Sequence, residues 1–174
     1  MAVLPIITAP DPRLKVQCEP VESVDAAIAK MMDDMLETMY LAPGIGLAAP
    51  QVGITKRILV VDLSPKDGPR EPIRMANPEI LWHSDDLATY EEGCLSLPEQ
   101  YADVERPAQI KVRYLDQDNS VQELDADGLL ATCIQHEMDH LDGVIFVDHI
   151  SSLKRRMILR KLTKLKKQEA LAGD

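Results

Sequence analysis

The sequence predicts an α+β fold, with mostly antiparallel strands around one central helix and a further helix at the C-terminus. Apolar runs such as Arg57 to Leu63 (RILVVDL) are separated by turn-rich breaks and do not alternate strictly with helices. Asp127 to Gly143 (DGLLATCIQHEMDHLDG) has helical apolar spacing through Leu129, Leu130, Cys133, Ile134 and Leu141. A last segment, opened by Ser151 or Ser152, keeps helical spacing to about Lys167. With 174 residues, 45% hydrophobic and 28% charged, the chain reads as a single domain spanning 1–174.

The first twenty residues hold four prolines and read as an extended wrap. Ser23 to Tyr40 is a helix capped by Ser23 or Asp25, with Ile28, Met31, Met32, Met35, Leu36 and Met39 turned inward as core packing. Pro43 ends it, and Gly44 to Gly53 follows as a loop. After the Arg57–Leu63 strand and a loop from Ser64 to Pro72, Ile73 to Trp82 reads as a strand interrupted by Asn77-Pro78. Ala88 to Glu91 is a short edge, and Ile110–Leu115 with Val121–Asp125 form a hairpin around Asp116–Ser120. Asp127 caps the central helix, Gly143 closes it, and Val144 to Val147 is a short apolar segment. The final helix, 151–167, takes Leu153, Met157, Leu162 and Leu165 as its apolar stripe.

Composition excludes several classes. The chain has no apolar run of the roughly 18 residues that spanning a bilayer takes, so no membrane association is expected. Its start lacks the charged and apolar regions of a signal peptide, and a cytoplasmic location is expected. Cys18, Cys94 and Cys133 are odd in number and widely spaced, which suits a reducing compartment. The net charge of −10 is segregated: residues 150–174 carry +6 and the remainder −16. The acidic body does not attract nucleic acid, whereas the basic tail is suited to it.

Inside the central helix, His136, Glu137 and His140 form H-E-x-x-H. One helical turn separates the two imidazoles, so both can grip one metal ion with the Glu137 carboxylate beside it, as metal-assisted hydrolysis requires. A catalytic site of this kind keeps three protein ligands and one open position. Cys133 lies on the same stripe, but a metal near the level of residue 138 is about 7.5 Å away along the axis, too far for a cysteine. Cys94, beside Gly93 in Glu91-Glu92-Gly93-Cys94-Leu95-Ser96, is the stronger candidate, with His83 and His149 as alternatives. Gly44 to Ala49 has the form G-x-G-x-x-A, but a helix precedes it and Pro50 follows. It therefore reads as backbone lying against an extended ligand, with the Gln51 amide toward the chemistry.

Three segments, GIGLAAPQ (44–51), EGCLS (92–96) and QHEMDH (135–140), together resemble the signature motifs of the peptide deformylases, in their order and spacing. The resemblance covers essentially the whole chain, and the basic C-terminal helix is similar to that of the bacterial type. It implies hydrolysis of the N-formyl group from the starting methionine of new polypeptides, with release of formate. Cys94, His136 and His140 are thereby implied as metal ligands, and Glu137 as general base and later acid. The Gln51 side chain and the Leu95 N–H are implied as oxyanion donors. The backbone at Gly44, Ile45 and Gly46 is implied to pair with substrate. Ile45, Leu129, Cys133 and His136 would form the methionine pocket, with Arg106 at its rim. The implied cofactor is one divalent ion, with Fe2+ as the working metal and Zn2+, Ni2+ or Co2+ able to substitute. The implied partners are N-formyl-methionyl nascent peptides and, through the basic C-terminal helix, the ribosome. Two other readings stand beside this one. A general zinc peptidase would need a downstream third ligand, for which His149 is the only histidine. A non-enzymatic, metal-containing ribosome-binding protein would need a fourth ligand.

Overall fold

The computed structural model describes residues 2–172; Met1, Gly173 and Asp174, counted above in the domain span and tail charge, lie outside the described residues. In order come α1 (Ala26–Leu41), β1 (Gly46–Ala48), β2 (Ile58–Val61), β3 (Ile73–His83), β4 (Leu87–Cys94), β5 (Leu97–Pro107), β6 (Gln109–Leu115), β7 (Val121–Asp127), α2 (Gly128–Leu141) and α3 (Ser152–Ala172). Five strands form one sheet in the order β1-β2-β3-β6-β7, every neighbouring pair antiparallel, while β4 and β5 pair as a separate antiparallel ribbon. The fold is thus the expected α+β arrangement.

The sheet lies between two helices because β2 is apolar on both faces. Leu59 and Val61 join Met75, Ile110 and Val112 in the core beneath α2, against Ala131, Ile134 and Leu141. Ile58 and Val60 turn the other way, into the core formed with Ile28, Met32, Met35, Leu36 and Met39 of α1. Alternation at a period of two sends each strand residue to one of these layers. Asp25 is the α1 cap, its carboxylate accepting the Ile28 N–H at 2.9 Å.

Several elements differ from the sequence expectation. Gly44 to Gly53 is not all loop: Gly46–Ala48 pairs with Leu59–Val61 as an edge strand, and Ala49–Val52 makes a 3-10 turn. The strand through Asn77-Pro78 is unbroken. Asn77 takes a positive φ of 51° beside a register shift in the β3–β6 pairing, and its amide is tied to both backbone groups of Val21. The bulge absorbs the proline. The Ala88–Glu91 edge extends to Leu87–Cys94 and pairs with β5, a strand the sequence hid. β5 is largely polar, and only Leu97, Val104 and Arg106 are buried along it. Asp127 occupies the cap position of α2, but its side chain makes no capping hydrogen bond. Gly143, with φ 75°, closes the helix against the Lys15 backbone, where an added Cβ would lie 2.6 Å from the Lys15 carbonyl oxygen.

A third core lies beneath α3. Ile7, Ala9 and Leu14 of the N-terminal wrap meet Leu97, Val104, Ile145, Phe146, Val147 and Leu162. The wrap is stitched to the body by backbone: Ile7 N–H to the Gln51 carbonyl at 2.7 Å, Ala9 N–H to Ser96 at 2.8 Å, Cys18 N–H to Leu141 at 2.8 Å. Lys166 Nζ donates to the Thr8 carbonyl from the far side at 2.6 Å. The buried stripe of α3 is Leu162 with Ile158 and Leu159. Leu153 and Met157, expected in that stripe, are instead 61% and 53% exposed, and Leu165 faces outward too. α3 also runs past Lys167, to Ala172. Among the described residues no helix is long and apolar enough to cross a membrane.

Leu162→Ala should therefore lower the unfolding free energy by about 2–5 kcal/mol. Leu153→Ala should change it by no more than about 0.5 kcal/mol. Urea unfolding of the two variants measures the difference, and equal losses would put the stripe at the wrong angle.

Candidate active site

α2 runs beneath the sheet with His136 and His140 one turn apart and both buried. The end of β4 delivers Cys94 to the same point. One donor atom from each of Cys94, His136 and His140 lies within 4.8 Å of the others, and Cys94 Sγ is 3.4 Å from His140 Nε2. These three form the one cluster of potential metal ligands found among the described residues. His83 is exposed at the end of β3, and His149 hydrogen-bonds Asp139, so neither alternative joins the cluster. Cys133 stays out as well. Burial pushes its thiol well above the ordinary range, and Sγ faces the Ile45 carbonyl oxygen at 3.8 Å.

The donor set fits a divalent ion. His136 Nδ1 donates to Glu92 Oε1 at 2.9 Å, which fixes the tautomer and leaves Nε2 as the free donor atom. Burial drives His140 well below the ordinary imidazole range, so it is neutral, as a ligand must be. Burial works the same way on His136, but the charge of Glu137 and hydrogen bonds to Cys94 and Glu92 outweigh it and push that ring upward.

A cavity of about 570 Å³ opens above the cluster. One wall is Gly44, Ile45 and Gly46; the other is Glu91 to Leu95; Leu129, Thr132, Cys133, His136 and Glu137 of α2 form the floor. Gly46 is necessary here, because an added Cβ would stand 2.5 Å from Glu137 Oε2. The Glu137 carboxyl is pushed up to about 7, first by burial, and its Oε1 is buried without a partner. Gln51 is held by the Ala48 N–H on its Oε1 at 2.9 Å, while its Nε2 donates to Ser96 Oγ at 3.0 Å and more loosely to Cys94 Sγ at 3.5 Å. A second groove, about 460 Å³ beside α1 and lined by Leu36, Tyr40 and Arg70, holds none of these residues.

Arg106, expected at the pocket rim, is buried. Its Nε and Nη2 form a fork on the two Glu92 oxygens at 2.7 and 3.0 Å, and Nη1 meets Asp139 at 2.7 Å. Burial disfavours the Glu92 charge, but His136 and Arg106 prevail and hold it below the usual carboxylate range. Glu92, Ser96 and Asp139 were without a role in the sequence reading. The signal was present for Glu92 and Ser96, which lie two residues either side of Cys94 in EGCLS.

Three converging potential metal ligands, an open cavity and a buried carboxyl beside them define a class: an α+β hydrolase built around a metal centre. Residues 3–156 match the family of polypeptide deformylases. The chain is 56% identical to the peptide deformylase of Agrobacterium fabrum over 164 residues, 94% of this chain and 96% of that protein. It is similar to the crystal structure of peptide deformylase from Ehrlichia chaffeensis, with a TM-score of 0.92 and 40% identity over 97% of this chain and 99% of that one. A crystal structure of the Ehrlichia chaffeensis enzyme in complex with actinonin gives a TM-score of 0.90 at 42% identity, covering 94% of this chain and 98% of that one. The chain belongs to the polypeptide deformylase family. Its reaction is metal-dependent hydrolysis of the N-formyl group from the starting methionine of new polypeptides, releasing formate, which replaces the peptidase and non-enzymatic readings.

The Glu92–Arg106 pair yields a stability prediction. Glu92→Ala strands a buried guanidinium, and the unfolding free energy should fall by about 3–5 kcal/mol. The measurement is denaturant unfolding with a chelator present, which removes the contribution of metal binding. A loss below about 1 kcal/mol would mean that the guanidinium finds water.

Proposed function

We propose that Cys94, His136 and His140 hold the catalytic ion of this deformylase, and that Glu137, Gln51 and Leu95 carry out the chemistry around it. The supporting observation is the convergence of the three donor atoms within 4.8 Å at the floor of the cavity. When bound, the ion supplies Lewis acidity and makes hydroxide available near neutral pH. Fe2+ is the proposed native metal, with Zn2+, Ni2+ or Co2+ able to substitute in a set of one thiolate and two imidazoles.

The substrate lies extended between β1 and β4. β1 is the edge of its sheet, so a peptide can add to it as a further strand along Gly44, Ile45 and Gly46. The methionine side chain enters the apolar floor made by Ile45, Leu129, Cys133 and His136, where its burial contributes about 1.5–3 kcal/mol. The same cavity is the place for a ligand such as actinonin.

Glu137 takes a proton from the attacking water as the new C–O bond forms at the formyl carbon. Its buried carboxyl, raised to about 7, is matched to both taking and returning a proton near neutrality. The developing oxyanion accepts hydrogen bonds from Leu95 N–H and from the Gln51 N–H that is only loosely held by Cys94. Ser96 keeps the other Gln51 hydrogen and so sets the amide plane. As the C–N bond breaks, Glu137 returns its proton to the leaving amine, and formate departs. Each oxyanion donor is worth about 100- to 1,000-fold in rate.

α3 presents Lys154, Arg156, Arg160, Lys161, Lys164 and Lys167 to solvent. We infer that this face docks on ribosomal RNA, bringing the cavity to nascent chains. Arg155 and Lys166 are otherwise engaged, with Asp148 and the Thr8 carbonyl.

Glu137→Ala should lose all but a few per cent of formate release from formyl-methionyl peptides while the protein still binds one metal ion, because Glu137 is not a ligand. Assaying formate beside metal content on one preparation tests both halves. Wild-type protein prepared without oxygen should contain one ferrous ion; Cys94→Ser should lose it or hold it inactive, whereas Cys133→Ser should keep it and weaken substrate binding. The reverse pattern of metal content would move the third ligand onto α2. For the tail, the combined substitutions Lys154→Glu, Arg156→Glu, Lys161→Glu and Lys164→Glu should abolish ribosome co-sedimentation at low salt and leave turnover of a short formylated peptide intact. Unchanged co-sedimentation across a salt series would reduce α3 to a packing helix.

A further inference from the structure

We propose that His149 is a positioning residue for the metal centre, holding the Glu92 carboxylate on His136 through Asp139 and Arg106; this rests on the reading of His136 as a ligand. The contacts form one continuous chain. His136 Nδ1 donates to Glu92 Oε1 at 2.9 Å, the Arg106 fork grips both Glu92 oxygens, and Arg106 Nη1 reaches Asp139 Oδ2 at 2.7 Å. The same Asp139 oxygen lies 2.8 Å from His149 Nε2. An ionised carboxylate only accepts, so His149 carries its proton on Nε2. The links come from α2, β4, β5 and the turn after α2, and side-chain exposure rises outward from 5% at Glu92 through 27% at Asp139 to 36% at His149.

An imidazole–carboxylate contact at a surface is ordinarily worth little. This one differs because Asp139 Oδ2 is also a partner of a buried guanidinium. Glu92 is positioned by Arg106, and the Arg106 fork is positioned by what holds its third nitrogen. Among the described residues His149 is the one side chain that holds Asp139 from the solvent side, and without it the partly exposed carboxylate is free to turn to water, leaving Nη1 to be resolvated in a buried site. Glu92 would keep its charge and its fork, but the angle at which it meets His136 would no longer be set.

The outer end of the chain is itself anchored. Phe146–His149 is a 3-10 turn whose Asp148 accepts from Lys15 Nζ at 2.9 Å, Arg155 Nε at 2.8 Å and Ile145 N–H at 3.0 Å. The same turn touches His136 a second time, since the Phe146 ring stacks on it at 6.2 Å between centroids. One rigid turn therefore addresses the ligand imidazole twice, by ring contact and through the polar chain. Asp139 and His149 complete for His136 the outer-shell support that metal-bound imidazoles typically have, loss of which commonly costs about 10- to 100-fold in metal affinity.

Cobalt(II) is the probe. Wild type, His149→Phe, His149→Gln and Cys94→Ala are loaded with the ion, and its release to excess chelator is timed beside the visible spectrum, with melting of the metal-free proteins as a fold control. His149→Phe should release cobalt about ten-fold faster. Its d–d bands should shift and kcat should fall with KM held, while the metal-free melting point is unchanged. His149→Gln, which restores an N–H near the Nε2 position, should return release and spectrum to those of wild type. Release and spectrum unchanged in His149→Phe, or His149→Gln as fast as His149→Phe, would overturn the proposal while leaving the ligand reading intact. Cobalt held as tightly by Cys94→Ala as by wild type would overturn the ligand reading, and the proposal with it. Should His149→Phe fail to fold, Asp139→Asn decides by the same release rate: faster than wild type supports the chain, equal to it refutes it.

Discussion

The shared carboxylate of Glu92 is the interaction on which the site depends. It lies between the His136 imidazole and the Arg106 guanidinium, buried with both, and each of the three comes from a different element. Ionised groups out of water are tolerated only when every lone pair and proton has a partner, and here the carboxylate satisfies an α2 donor and a β5 donor together. The ribbon of β4 and β5 has little apolar surface with which to dock on α2. The buried charges supply a docking geometry that hydrophobic contact alone would leave loose, and Cys94 follows because it ends the same strand.

Close approach is the second constraint. Glu137 lies against the cavity wall where residue 46 has no side chain, and that residue belongs to β1, the edge strand of the sheet. The buried carboxyl and the sheet edge are therefore in van der Waals contact. The Gln51 amide is fixed in the same economical way: a backbone N–H three residues earlier takes its oxygen and a serine takes one of its hydrogens. Short-range tethers of this kind lock orientation before a ligand arrives, which is what electrostatic preorganisation demands.

Much of this was legible in the sequence because it is local. H-E-x-x-H sets two imidazoles side by side through helical pitch, the Asp127–Gly143 periodicity marks the helix, and RILVVDL marks the strand on which both main cores meet. What escaped depends on contacts between distant segments. LPEQYADVERP carries prolines at both ends and scattered charges, and only its register with β4 makes it a strand and turns Arg106 inward, away from the pocket rim where it was expected. Gly46–Ala48 is too short to show a period. On α3, Leu153, Met157 and Leu165 mimic an apolar stripe, whereas the buried face is rotated onto Ile158, Leu159 and Leu162 by the wrap it must cover. Hydrophobicity says that a helix has a buried side, and the partner says which one.

The stitches of the N-terminal wrap have a bearing on timing. Residues 7 and 9 hydrogen-bond the backbone of Gln51 and Ser96, whose side chains are paired with each other, and residue 8 is gripped by Lys166, 158 positions later. The far side of the wrap is thus fastened only by a segment 158 positions away along the chain. Contacts of such long sequence separation are reached late and slowly. The two sides of the cavity consequently depend on contacts of very different range. The histidine pair needs only the pitch of one helix, while the backbone of the amide and serine opposite is stitched to a wrap that long-range contacts hold in place.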